Sequence, residues 1–161
     1  MTTTRTSDAL ATTSEVAAGA AQLLTPVVID LEALVVDGKQ AHWHVRGANF
    51  IGVHELLDSV VAHAQAFADE AAERIVALGL PLDARIETVA AKNTLPALTE
   101  GFTSSADLIP QVLAQLDAVI ATTREAIKGL DEVDLASQDV AIAIEQGLVK
   151  DRWFLQAHIA G

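Results

Sequence analysis

Residues 54–73 carry two pairs of potential metal ligands in a mirrored spacing, His54/Asp58 and Asp69/Glu73, with His42 just upstream. Each pair is i,i+4, so a helix over 51–78 puts both members of a pair on one side. At 100° per residue, Asp58, Asp69 and Glu73 lie about 40°, 60° and 100° round from His54. Leu57, Val60, Val61, Ala64, Phe67, Ala68, Ala71, Ile75 and Leu78 fall roughly 220–340° round, on a separate face. Such a helix has a core stripe and, apart from it, a stripe of histidine and carboxylate.

That second stripe constrains assembly. Along one helix Asp58 and Asp69 are ~16 Å apart in rise and His54 and Glu73 ~28 Å apart, whereas one metal holds its ligands at about 2.0–2.2 Å. The midpoints of the 54/73 and 58/69 pairs both fall between His63 and Ala64. A two-fold axis there sets His54 against the partner's Glu73 and Asp58 against the partner's Asp69. The spacing therefore predicts two identical sites per homodimer. Ala62, Ala66, Ala72 and Val76 fall near the same face and suit close packing of two helices. A solvated face is the plain alternative for Asp69/Glu73 taken alone, but like charges at i,i+4 cost roughly 0.2–0.5 kcal/mol without a counter-ion. Together with the histidines, the shared midpoint and the small neighbours, that cost favours a metal site.

The rest of the chain reads as all-α. Thr25-Pro26 could cap a first helix, or Pro26 could lie in its early turns, after which Leu31, Leu34, Val35 and Val45 recur at helical spacing up to Arg46 and the stop at Gly47. The second helix runs to Gly79-Leu80-Pro81. A long connection with Pro81 and Pro96 follows, carrying a short helix around 87–92. Leu108, Val112, Leu116, Val119, Thr123, Ile127 and Leu130 mark the third long helix, with Pro110 in its first turns or kinking it. Val140, Ile144, Leu148 and Leu155 mark the fourth, over about 135–158. No strand is expected. Two hairpins joined by a long crossover describe a ferritin-like four-helix bundle, occupying 21–161, with a flexible polar tail over 1–20.

Composition removes several functions. The chain has no cysteine, so thiolate chemistry and cysteine-ligated zinc or iron–sulfur sites are out. Its net charge of −12, with Arg5 the only basic residue of the first 38, argues against direct DNA binding, which needs clustered Lys and Arg. No uninterrupted apolar run approaches membrane-spanning length, and the opening residues lack the basic end and apolar centre of a secretory signal. A soluble, cytoplasmic protein is the expectation.

His42 occupies the last turns of the first helix and His54 the first turn of the next, so the 47–49 turn can bring the imidazoles together. The expected set is His42, His54 and Asp58 from one subunit with the partner's Asp69 and Glu73. Nitrogen and oxygen donors without thiolate suit iron(II), manganese or zinc. Repeated Glu-x-x-His pairs, which place di-iron sites within one bundle, are absent.

KQAHWHVRGANFIGVHELLD at 39–58 and ADEAAERIVALG at 68–79 resemble the signature of the Dps proteins, the mini-ferritins; DLASQD at 134–139 and Trp153-Phe154 resemble that family's closing helix. The resemblance implies a hollow dodecamer built from two-fold dimers. Its inter-subunit ferroxidase sites, here His42, His54, Asp58, Asp69 and Glu73, would oxidise Fe(II) with hydrogen peroxide or dioxygen and pass Fe(III) to an internal mineral. It also implies that Trp43 lies near the iron, the alternative being a packed aromatic. Lys39, one turn before His42, could hold a water or steer peroxide, or be an ordinary ion-pair lysine. Asp134 and Asp139 match acidic positions lining the family's ion-entry pores, although helix-start carboxylates favouring the dipole look the same. Two features depart from the family: His44 stands where Asn is usual and points about 200° from His42, and the N-terminal segment lacks the basic residues of DNA-binding members. His63 and His158 fall outside the ligand stripe. The competing functions are a metal-assisted hydrolase of a small amide or ester at the same ligands and a DNA-protecting nucleoid protein.

Overall fold

Thr13 opens the first helix, its Oγ1 accepting from the Val16 N–H at 3.4 Å. The computed structural model describes residues 13–159, beginning with this cap and α1 (Ser14–His44). The helix starts inside the segment expected as a tail; residues 1–12 of that segment lie outside the described residues. Pro26 sits well within α1, neither capping it nor in its early turns. The ring removes one backbone donor, and the neighbouring Thr25 hydroxyl donates to the Ala21 carbonyl at 2.6 Å.

After α1 come β1 (Val45–Arg46), α2 (Phe50–Ala77), α3 (Ile86–Lys92), β2 (Thr103–Ser104), α4 (Ser105–Leu130) and α5 (Leu135–Ala157). The four long helices form two hairpins, α1–α2 and α4–α5, with α1 packed on α4 and α2 on α5. The crossover bearing α3 joins them. This is the expected four-helix bundle, with one addition: β1 and β2 pair in parallel, Val45 against Thr103 and Arg46 against Ser104. Strands of two residues have no periodicity to read, and the pair forms because the end of α1 meets the end of the crossover.

The heptad-like stripes meet in one core. Leu24, Leu31 and Leu34 of α1, Leu57 and Ile75 of α2, Leu116 and Leu130 of α4, and Ile144, Leu148 and Leu155 of α5 are all buried, each worth about 1.5–3 kcal/mol over exposure. Helix α1 is apolar and long enough by composition to cross a membrane, but more than half of its most apolar window is buried inside the bundle. Between α2 and α5 the Phe67 ring fills the space over Gly147, where a Cβ would come within 2.2 Å of Phe67 Cζ. Glycine is required by that contact, not by a turn.

One buried and one half-buried carboxylate fasten the crossover. Asp30 of α1 accepts from the Thr94 N–H and hydroxyl, both at 2.8 Å, and from the Thr122 hydroxyl at 2.6 Å. Gln115 Nε2 donates to Asp37 Oδ2 and to the Pro96 carbonyl, at 2.6 and 2.9 Å. Asp30→Ala removes three hydrogen bonds to a buried carboxylate at once, so it should lower the free energy of unfolding by about 2–4 kcal/mol. Urea denaturation at fixed protein concentration, beside the half-exposed Glu32→Ala, checks this; equal midpoints for the two variants would show that Asp30 does not hold the crossover.

Candidate metal centre

The α1–α2 turn brings His42 and His54 into contact. Gly47 (φ 94°) and Asn49 (φ 57°) take the left-handed conformations that reverse the chain. The turn is clamped from outside by the β1–β2 pair and by Ser105, whose hydroxyl donates to the Ala48 carbonyl at 2.6 Å. The imidazoles stack with centroids 3.6 Å apart and planes 21° from parallel. Their hydrogen bonds are reciprocal: His42 Nδ1–H donates to the His54 carbonyl at 2.8 Å, and His54 Nδ1–H donates to the His42 carbonyl at 2.9 Å. A carbonyl can only accept, so in both neutral rings Nδ1 carries the proton and Nε2 keeps its lone pair for a metal.

Asp58, one turn beyond His54, brings Oδ1 to 3.4 Å from His42 Nδ1. Its closest partner is Lys39, whose ammonium donates to the same oxygen. That hydrogen bond is the main cause holding the Asp58 carboxyl below the usual range, with the two histidines adding to it. Lys39 is thus an ion-pair lysine, and its counter-ion is a candidate ligand.

Asp69 and Glu73 lie exposed further along α2. Asp69 lines an open depression of about 520 Å³ with Ala62, Gln65, Ala66, Ala72 and Glu32. Glu32 comes from α1, so spacing along α2 gives no sign of it. Among the described residues no three histidine or carboxylate side chains converge to hold a metal within one chain. The chain sets His42, His54 and Asp58 beside one another without aiming all three at one point, and leaves Asp69 and Glu73 apart from them. Ala62, Ala66 and Val76 stand exposed on the intervening face.

The remaining sequence candidates find specific places. Trp43 is 57% exposed, so within the chain it is not a packed aromatic. His44 turns away from the pair, its Nδ1 lying 2.9 Å from the Gln40 carbonyl. Asp134 is the N-cap of α5 and also binds Arg74 at 2.6 Å. Burial pushes its carboxyl up, but bonds from Ser137 and Arg74 more than reverse this, leaving it below the usual range. Asp139 is exposed. His63 packs toward α5, with Nδ1 2.9 and 3.0 Å from the two carboxylate oxygens of the buried Asp151. Spacing along α2 excludes His63 from the stripe but cannot reveal a partner 88 residues away.

A bundle of two hairpins with a long crossover, bearing histidine and carboxylate on its second helix, defines the chain as a ferritin-like protein. The ferritin-like domain family matches residues 24–161. The fold superposes on the Dps of Microbacterium arborescens, solved in a high-iron form, with a TM-score of 0.91 and 60% identity over 94% of this chain and 99% of that one. The DNA protection during starvation proteins of Agrobacterium fabrum and Mycolicibacterium smegmatis are 36% and 38% identical over 82% and 75% of this chain. The matches span 80% and 66% of those proteins' own lengths. The chain belongs to the Dps family.

Burial is the largest cause pushing the Asp151 carboxyl above its ordinary 3.8, and the bond from His63 offsets it only in part. A carboxyl raised in the folded state costs stability wherever it is ionised there, and the cost fades as pH falls through the folded value toward 3.8. Asp151→Asn removes the charge while keeping an acceptor for His63. Its stability relative to wild type should therefore be most favourable near pH 8 and decline as the buffer is acidified. Urea unfolding of both proteins across that range measures the difference; one that does not vary with pH would contradict a buried, ionised Asp151.

Proposed function

We propose that this protein binds Fe(II) as its substrate at sites between two-fold-related subunits, oxidises it with hydrogen peroxide or dioxygen, and retains Fe(III) as mineral inside a dodecameric shell. The observation that carries this reading is the reciprocal histidine pair, which ties both Nδ1 atoms to backbone carbonyls and leaves both Nε2 atoms outside those bonds, beside Asp58, while Asp69 and Glu73, their mirror-placed complements, stand apart on the same helix as His54. Membership of the Dps family supports it, as does the high-iron form of the Microbacterium arborescens relative.

In this scheme His42, His54 and Asp58 of one subunit and the partner's Asp69 and Glu73 hold the iron. Imidazole nitrogens accommodate Fe(II), and the carboxylates favour Fe(III), which makes loss of an electron easier at the site than in water. Two Fe(II) ions give one electron each to peroxide, whose O–O bond breaks; two protons complete two waters. Lys39 occupies Asp58 until the metal displaces it, keeping that oxygen ionised and oriented. Trp43 lies beside the bound iron. Asp134 and Asp139 form the acidic approach, with Asp139 the less committed of the two. A cytoplasmic location goes with this chemistry and with a cysteine-free chain.

Each site draws on two chains, so His54→Ala and Glu73→Ala should each lose most ferroxidase activity. A mixed dimer with one lesion per chain regains one intact site. A dimer with both lesions on one chain and none on the other has each site broken once. Peroxide-dependent Fe(II) oxidation by the two mixed arrangements therefore differs; equal rates would refute the shared site.

The relatives' name raises DNA protection, but the formal charge of −12 per chain, multiplied over a shell, opposes contact with phosphates. Duplex DNA should run unshifted beside the protein in a metal-free gel at moderate salt. Retention that dissolves as salt rises would reveal a basic surface that the net charge conceals.

A further inference from the structure

Asp151 of α5 is a buried carboxylate bonded to a half-exposed ring on another helix. Its side chain is 2% exposed, and that of His63 on α2 is 52% exposed. His63 Nδ1 lies 2.9 and 3.0 Å from the two carboxylate oxygens. An ionised carboxylate can only accept, so Nδ1 carries the proton and the lone pair sits on Nε2. Phe67 stands beside the imidazole, ring centroids 6.2 Å apart, and itself fills the space over Gly147, which sets the spacing of α2 and α5. A carboxylate that holds Nδ1–H orients an imidazole and raises the basicity of its other nitrogen. His63 takes no part in the candidate metal centre.

Three chemistries use such a nitrogen. A metal needs further ligands, and among the described residues no third histidine or carboxylate converges on the pair. Acyl transfer needs donors aimed at a developing oxyanion, but His63 and Asp151 lie well inside α2 and α5, where backbone N–H groups are spent on the helices themselves. Phosphoryl transfer from an activated donor asks for less: a nucleophilic nitrogen, a carboxylate to neutralise the charge the ring gains, and a cation for the phosphoryl oxygens. Lys150 supplies the cation. It forms no ion pair among the described residues, and its ammonium stands 5.6 Å from the Phe154 ring centroid. Burial raises the Asp151 carboxyl, while the bond from His63 and the charge of Lys150 work against it. The chain's net charge repels a long polyanion, whereas at physiological salt a small anion senses charges within about 8 Å.

We propose that His63 is a phosphoryl-acceptor site, its Nε2 taking a phosphoryl group from a small acyl phosphate while Asp151 holds Nδ1–H and Lys150 meets the phosphoryl oxygens. The Nε2 lone pair forms the N–P bond. The P–O bond to the acyl group breaks, and a carboxylate leaves with that electron pair. The proton stays on Nδ1, and Asp151 neutralises the positive charge left on the ring. This site does not rest on the proposed iron chemistry.

Incubation of the metal-free protein with acetyl phosphate at pH 8, read by intact mass, tests it. Wild type should gain a single phosphoryl group per chain, stable in alkali and lost in mild acid, and peptide fragmentation should place it on His63. His63→Gln should gain none. Asp151→Asn should label about tenfold more slowly, Lys150→Gln also more slowly than wild type, and His158→Gln at the wild-type rate, with circular dichroism confirming that each variant is folded. A wild type that takes no phosphoryl group, labelling spread over several histidines, or an Asp151→Asn rate equal to that of wild type would overturn the site. A ¹⁵N spectrum of the wild-type ring needs no variant: the proton should reside on Nδ1 at pH 8, and a proton on Nε2 would overturn the proposal as well.

Discussion

Two backbone-directed hydrogen bonds between His42 and His54 join the end of one helix to the start of the next, and the candidate metal centre depends on them. Each ring donates to the other residue's carbonyl, so neither can rotate without giving up that bond, and the His42 carbonyl, in the last turn of α1, is one that the helix itself leaves unpaired. The pair sets the relative phase of α1 and α2 and leaves the unprotonated nitrogens available. The clamp of β1 on β2 and the Ser105 bond to Ala48 restrain the turn that makes the pair possible. Local geometry and ligand chemistry are here one arrangement.

The acidic character of the chain has an internal logic. Asp30 and Asp151 are buried and hydrogen-bonded; Asp134 caps a helix and pairs with Arg74; Asp58 is held by Lys39. These carboxylates have work within the subunit. Asp69, Glu73 and Glu55 are exposed and take no part in the ion pairs of the described residues. They leave their charge on the surface of the subunit. Net charge alone makes no such distinction.

Periodicity made the core and ligand stripes of α2 readable, because both arise from one helix and 100° steps. The short helix in the crossover and the ends of α4 and α5 were readable from apolar spacing and turn residues. The start of α1 was not: its first turns are rich in alanine, which favours helix without marking a face, and Pro26 resembles a helix opening while sitting inside one. The β1–β2 pair and the His63–Asp151 bond join residues far apart in sequence and leave no local pattern. The Lys39–Asp58 pair spans a turn, so only the three-dimensional hairpin shows that a candidate ligand already has a cation.

All five candidate ligands lie on the α1–α2 hairpin, and α4 and α5 supply none. A ribosome releasing the chain from its N-terminus therefore completes the chemical half of the molecule first. Until α4 and α5 emerge, that half carries Leu24, Leu31, Leu57 and Ile75 uncovered. The nascent hairpin has two distinct faces, an apolar one that the later half of its own chain covers and another that carries the exposed Asp58, Asp69 and Glu73. Synthesis order thus leaves the apolar face of the hairpin waiting for the second half of its own chain, while the ligand-bearing residues are already in place.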